Sequence, residues 1–145
     1  MIVTMDEEYQ ELFNQVLDYA RRRGVGFILT KELQPDTPSA SDPAKSLVVI
    51  NMCWRDQKQL PYIAAHEIGH CLDGDGSSIL YFTTTANHSK YEYHANKKAF
   101  EILLPLTIDG DCQPDQINAV DWMGKLHIPS WEVDSVQESV AEYLF

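Results

Sequence analysis

The sequence predicts an α+β domain that is rich in helix. Apolar residues recur at helical spacing in several long segments, and two short runs of β-branched and aliphatic residues lie between the first two of these segments. The chain has 145 residues, of which 44% are hydrophobic and 23% charged, so it has the size and composition of one globular domain, 1–145. The same composition excludes collagen-like, coiled-coil and disordered chains.

The first predicted element is an amphipathic helix over residues 4–23, which precedes the strands. Thr4, with Glu7 three residues later, matches the capping-box pattern at its start. The basic residues Arg21–Arg23 suit the negative end of the helix dipole, and Gly24 is typical of a helix end.

Two strands and a loop are predicted next. Val25–Thr30 and Leu47–Met52 are short and rich in β-branched and aliphatic residues. Residues 34–46 hold three prolines among small polar residues and are predicted to be a loop. Tyr81–Thr85 is a further strand candidate, which would complete a small sheet.

Four later segments have a helical pattern: 60–74, 90–104, 116–127 and 130–144. The last two form a C-terminal helix pair, which breaks at Ile-Pro-Ser with Ser130 as a predicted N-cap. The predicted order is therefore an N-terminal helix, a small sheet and then helices.

The net charge and the cysteines of the chain limit the classes of function that it can have. The chain has 11 Lys and Arg against 22 Asp and Glu, a net charge of −11, which argues against direct binding of nucleic acid. Residues 106–145 hold eight of the acids and one base, which is typical of a solvated face; the alternative is a surface that attracts a basic partner protein. No apolar run approaches a membrane span, no secretory signal opens the chain, and its three cysteines form no C-x-x-C pair. These features predict a cytoplasmic protein.

The clearest chemical motif is residues 66–70, HEIGH. On a helix, positions four apart lie on one face, so His66 and His70 can bind one metal ion together. Glu67 then lies near enough to accept a proton from a water molecule at the metal. With this chain's five His and ten Glu, chance alone gives the pattern in about one chain in a hundred. The motif therefore predicts a zinc site with Glu67 as the catalytic base.

A catalytic zinc ion usually takes a third protein ligand. The candidates that the sequence offers are His88, His94, Glu92, Asp73 and Asp75. Asp73 is better placed to orient an imidazole than to bind the metal. Glu92 is the preferred candidate, because it shares a helix face with small Ala95, which would allow close packing on the helix that carries Gly69.

Residues 92–105, EYHANKKAFEILLP, resemble the second signature of the ImmA/IrrE family of metallopeptidases. That signature has a Glu, then Ala-Asn three and four residues later, and an aliphatic pair that ends in Pro. The AHEIGH motif and the strand Leu47–Asn51 precede it in the family's order, and the resemblance extends over roughly residues 5–142. It implies a compact zincin-like fold with His66, His70 and Glu92 as zinc ligands and Glu67 as the general base.

The resemblance also implies an activity, because members of this family are gluzincin-like zinc endopeptidases of phages, mobile elements and bacteria that cut a partner repressor. The predicted function is thus zinc-dependent hydrolysis of a peptide bond in a repressor-type regulatory protein. Two alternatives stay open. One is a binding module that sequesters the DNA-binding partner without cutting it, and the other is a zinc hydrolase of another bond, such as an amidase.

Several side chains are open candidates for supporting roles. Stabilisation of the oxyanion could come from His88, Tyr91, Tyr93 or His94. Asn96 is a candidate for a hydrogen bond to a zinc ligand. Trp54, Trp122 and Trp131 are candidates for a surface on which a protein substrate docks.

Overall fold

The structure, a computed structural model, describes residues 6–73, 85–108 and 117–144. It confirms the predicted α+β class, with five helices and a three-stranded mixed sheet in these ranges. The elements in chain order are α1 Glu7–Arg22, β1 Gly26–Thr30, β2 Ala40–Asp42, β3 Leu47–Asn51, α2 Leu60–Asp73, α3 Thr85–Thr107, α4 Ala119–Lys125 and α5 Val133–Leu144.

The sheet has the order β1-β3-β2, so β3 is its central strand. β1 runs parallel to β3, and β2 runs antiparallel to it with Ser41 opposite Val48. Val48 and Ile50 of β3 are fully buried, and helix α2 packs against this strand. β2 corrects the prediction of an unbroken loop over residues 34–46. Its three small and polar residues have no strand pattern of their own, and they are ordered by pairing with β3.

Helix α1 covers the sheet and the helical core with one apolar face. Its buried residues have the predicted helical spacing, and Gly24 follows the helix with a φ of +78°. The predicted start was wrong, because the helix begins at Glu7 after the N-cap residue Asp6, whose side chain makes no capping hydrogen bond. Thr4 lies outside the described residues.

Helices α2 and α3 form the closest helix pair in the fold. The bounds of α2 agree with the predicted helix 60–74, whereas α3 begins earlier and ends later than the predicted 90–104. Residues 81–84 of the predicted third strand lie outside the described residues, and Thr85 begins α3. A Cβ atom on Gly69 would lie 2.7 Å from the backbone oxygen of Ala95, so only glycine permits this approach of the two helices.

The C-terminal helix pair is present with shorter helices than predicted. Asn118 caps α4 by accepting a hydrogen bond from the backbone N–H of Asp121, at 3.1 Å. Ser130 is not the N-cap of a long helix; it begins a single 3-10 turn, Ser130–Glu132, that leads directly into α5. This turn brings its residues toward the N-terminal half of α2.

Asn51 at the end of β3 holds the loop that precedes β2. Its side-chain N–H₂ donates to the backbone oxygens of Gln34 and Thr37, at 2.7 and 2.8 Å. Its side-chain oxygen accepts from the backbone N–H of Cys53, and its own backbone N–H donates to the hydroxyl of Ser39. Asn51 is fully buried, so all of its polar groups find partners inside the protein.

Within the described ranges, no helix combines the length and apolar character needed to cross a membrane.

Candidate metal centre

The two histidines of α2 and Glu92 of α3 converge on one point. The Nε2 atoms of His66 and His70 lie 3.2 Å apart. One carboxylate oxygen of Glu92 lies 2.9 Å from His66 Nε2, and the other lies 3.2 Å from His70 Nε2. The i, i+4 spacing brings the two imidazoles together, and the close approach of α3 at Gly69 brings Glu92 to them.

These distances fit a zinc ion. Ligand atoms at 2.0–2.1 Å from a tetrahedral zinc ion lie about 3.3 Å from one another, close to the observed separations. Two imidazoles and one carboxylate are also the donor set of a class of catalytic zinc sites. The side chain of His70 is 4% exposed and that of Glu92 is 36% exposed, so the point between them is open to solvent on the α3 side.

The electrostatics favour a cation between these groups. Burial alone would raise the pKa of Glu92, but hydrogen bonds with His66 and His70 hold it well below its usual range. Burial alone would lower the pKa of His66, but the hydrogen bond with Glu92 and the charges of Glu67 and Glu92 raise it. The carboxylates therefore stabilise positive charge at the imidazoles, which a proton or a metal ion can supply.

Asn96 fixes the orientation of His66. Its side-chain oxygen lies 2.7 Å from His66 Nδ1 and accepts a hydrogen bond from the hydroxyl of Tyr62, also at 2.7 Å. Because an amide oxygen only accepts hydrogen bonds, this contact places a proton on Nδ1 and leaves Nε2 as the ligating atom. His70 is held differently: the ring of Tyr91 lies 4.2 Å from its ring, and its Nδ1 has no hydrogen-bond partner among the described residues.

Glu67 lies beside the three convergent groups. Its carboxylate is 4.0 Å from His66 Nε2, and one ligand atom from each of Glu67, His66 and His70 lies within 4.8 Å of the others. Burial raises the pKa of Glu67 despite the nearby histidines, while a hydrogen bond from Ser41 of β2 opposes the increase. A carboxylate with a raised pKa is suited to accept a proton and release it again.

The other predicted candidates do not all lie at this centre. Tyr93 and His94 are exposed on α3, and the Tyr93 hydroxyl donates to Glu138 of α5, at 3.0 Å. Tyr91 is buried against His70. The side chains of His88 and Asp73, and the whole of Asp75, lie outside the described part of the chain.

The centre opens into a cleft with a volume of about 530 Å³. One wall comes from the loop before β2 and another from the 3-10 turn Ser130–Glu132. Trp131 is 79% exposed at this cleft and Trp54 is half-buried in it, whereas Trp122 is in the core and does not belong to a docking surface.

Sequence reasoning missed two groups at the cleft, Tyr62 and Glu132. Tyr62 precedes His66 by four residues on the same helix face, so the helical period could have indicated it. Glu132 is brought to the cleft on the 3-10 turn before α5 by tertiary packing, and no local pattern points to it.

In comparisons with known proteins, the chain matches no protein-family model, no curated protein and no solved structure.

Proposed function

We propose that this protein is a zinc-dependent endopeptidase of the ImmA/IrrE type, with a zincin-like fold, that hydrolyses a peptide bond in a repressor-type regulatory protein of a phage or mobile element. The convergence of His66, His70 and Glu92 at separations that suit zinc, with Glu67 beside them, carries the proposal. The resemblance of the two motifs to that family supplies the reaction and the kind of substrate.

The proposed mechanism uses each group in one role. His66, His70 and Glu92 would hold a zinc ion, which would supply Lewis-acid activation of a water molecule and of the scissile carbonyl. Glu67 accepts the proton of the attacking water and passes it to the leaving amine. Asn96 holds His66 in the tautomer that the site requires.

The surroundings of the centre suit a protein substrate. In the part of the chain that the structure describes, β2 is an edge strand of the sheet, and its Ser41 contacts Glu67, so an extended peptide beside this edge would reach the base. The cleft is lined by aromatic side chains, including Trp54 and Trp131. The net charge of −11 favours association with a basic protein, as DNA-binding repressors are.

The test compares the wild-type protein with Glu67→Gln and His70→Ala. Zinc content per chain is measured first, and the proteins are then incubated with a random library of acetylated decapeptides and with a panel of purified phage repressors. We expect about one zinc ion per wild-type and Glu67→Gln chain, less in His70→Ala, and cleavage by the wild-type protein alone.

Each component of the proposal can fail separately. Cleavage by Glu67→Gln would exclude Glu67 as the base. Zinc that stays at full content in His70→Ala would place the ion elsewhere. A wild-type protein that holds zinc and binds a repressor without cutting it would be a sequestering module.

A further inference from the structure

The cleft beside the proposed metal centre is lined by negatively charged groups. Among the described residues that line it are three carboxylates, those of Glu67, Glu92 and Glu132, and neither lysine nor arginine. A divalent ion bound by two neutral imidazoles would balance the charges of Glu67 and Glu92. Glu132 would then remain as an uncompensated negative charge at the wall of the cleft.

Glu132 lacks a cationic partner within the described ranges. It forms no ion pair with lysine or arginine there, and its side chain contacts the amide of Asn96. Burial raises its pKa, the positive charge of His66 lowers it, and the charge of Glu92 raises it further. A cation from a bound substrate would stabilise the ionised carboxylate in this environment.

The neighbouring side chains suit a long basic residue. Trp131 precedes Glu132 in the same turn and is 79% exposed, whereas the Trp54 ring on the cleft wall already has the guanidinium of Arg55 5.6 Å from its centroid. Trp131 is therefore the ring that a substrate side chain can approach. Aromatic faces attract ammonium and guanidinium groups and pack against the aliphatic stems of lysine and arginine. The exposed ring of Trp131 and the carboxylate of Glu132 line the same cleft, so a basic side chain bound there can reach both.

We propose that Glu132 and Trp131 form a subsite that selects a lysine or arginine side chain close to the scissile bond of the substrate. This inference rests on the proposed peptidase function and adds a substrate preference to it. The preference agrees with the negative charge of the whole chain, which favours basic partners at longer range.

The test uses a random library of decapeptides with acetylated N-termini and amidated C-termini, so that cations come from side chains alone. Peptides cut by the zinc-loaded wild-type protein are identified by mass spectrometry. The same library is also enriched on immobilised, zinc-loaded Glu67→Gln protein, which measures binding without hydrolysis.

Three variants separate the contributions to this preference. Glu132→Gln removes the charge of the carboxylate and keeps an acceptor for Asn96, and Glu132→Lys reverses the charge. Glu101→Gln is the matched control, because Glu101 is exposed on α3 and pairs with Lys98.

We expect lysine and arginine to be enriched roughly tenfold at one position near the cut bond, both in cleavage and in binding. Glu132→Gln should abolish this preference with zinc affinity unchanged, Glu132→Lys should replace it with a preference for aspartate and glutamate, and Glu101→Gln should keep it. Trp131→Ala should weaken binding of the basic peptides more than binding of neutral ones.

The subsite would be overturned by cleavage or binding that shows no preference for basic residues, or by a preference that survives Glu132→Gln. A loss of zinc in Glu132→Gln would also overturn it, because Glu132 would then be a positioning residue for the metal site. An absence of both cleavage and binding would also overturn it. Selective binding of basic peptides without any cleavage by the wild-type protein would instead support the subsite and refute the proposed peptidase.

Discussion

Gly69→Ala tests whether the contact between α2 and α3 positions Glu92 at the metal centre. The added Cβ would lie 2.7 Å from the Ala95 backbone oxygen, whereas ordinary contacts begin at 3.4 Å, so α3 must move away by about 0.7 Å. Glu92 lies one turn before Ala95 on α3 and would move with it. Metal–ligand distances tolerate changes of about 0.2 Å, so the displacement exceeds what the site can absorb.

Two free energies oppose each other in this variant. Alanine stabilises a helix interior by about 1 kcal/mol relative to glycine. Overpacking of a close contact costs about 1–3 kcal/mol, so we expect no net gain in the free energy of unfolding and a loss of up to about 2 kcal/mol. Because Glu92 is displaced, we also expect the zinc affinity to fall roughly 10–100-fold, as it does when a ligand loses its orientation.

Two assays separate these effects. Urea unfolding of the zinc-free protein measures stability, and competition with a chromophoric chelator measures zinc affinity. Gly124→Ala is the matched control, because Gly124 lies inside α4 and its Cβ would meet nothing within 4 Å. It should gain about 0.5–1 kcal/mol and bind zinc as the wild-type protein does. The reasoning is refuted if Gly69→Ala gains stability like Gly124→Ala and keeps its zinc affinity.

Three further predictions follow from single contacts. Asn96→Ala should raise the zinc Kd roughly 10–100-fold, measured by calorimetry, because His66 Nδ1 loses its acceptor; an unchanged Kd would contradict this role. Phe100→Ala should lower the free energy of unfolding by about 3–5 kcal/mol in urea, since the ring is fully buried, and a loss under 1 kcal/mol would exclude a tight core there. Burial, with the Glu67 charge, raises the pKa of Cys71 to about 11, so about one thiol in a thousand is ionised at pH 8. Iodoacetamide followed by peptide mass spectrometry should label half-buried Cys53 before Cys71, and equal labelling would contradict the burial of Cys71.

The parts of the site that sequence predicts are those set by helix geometry. His66 and His70 meet because a helix repeats every 3.6 residues, and this period needs no knowledge of the rest of the fold. The position of Glu92 depends on two helices, yet the small residues Gly69 and Ala95 indicate in advance where those helices approach. Their contact in the structure is the one that the sequence predicts.

The remaining parts depend on long-range packing. β2 has three residues without a hydrophobic pattern, and it becomes a strand because β3 supplies the hydrogen bonds. Glu132 lies 65 residues after Glu67 in the chain, and it reaches the cleft on the 3-10 turn that was predicted as an ordinary helix start. Such placements follow from tertiary structure, which no local spacing encodes.

The anchoring of the loop before β2 by Asn51 has a consequence for how this protein can diversify. The Asn51 amide binds backbone oxygens at positions 34 and 37, and these are present whatever side chains stand there. Mutations at Gln34 or Thr37 can therefore alter the approach to Pro38 and Ser39 on the cleft wall while the anchor persists. The anchor therefore does not constrain the side chains at these two positions, so the shape of the cleft wall can change without loss of the hydrogen bonds that hold the loop.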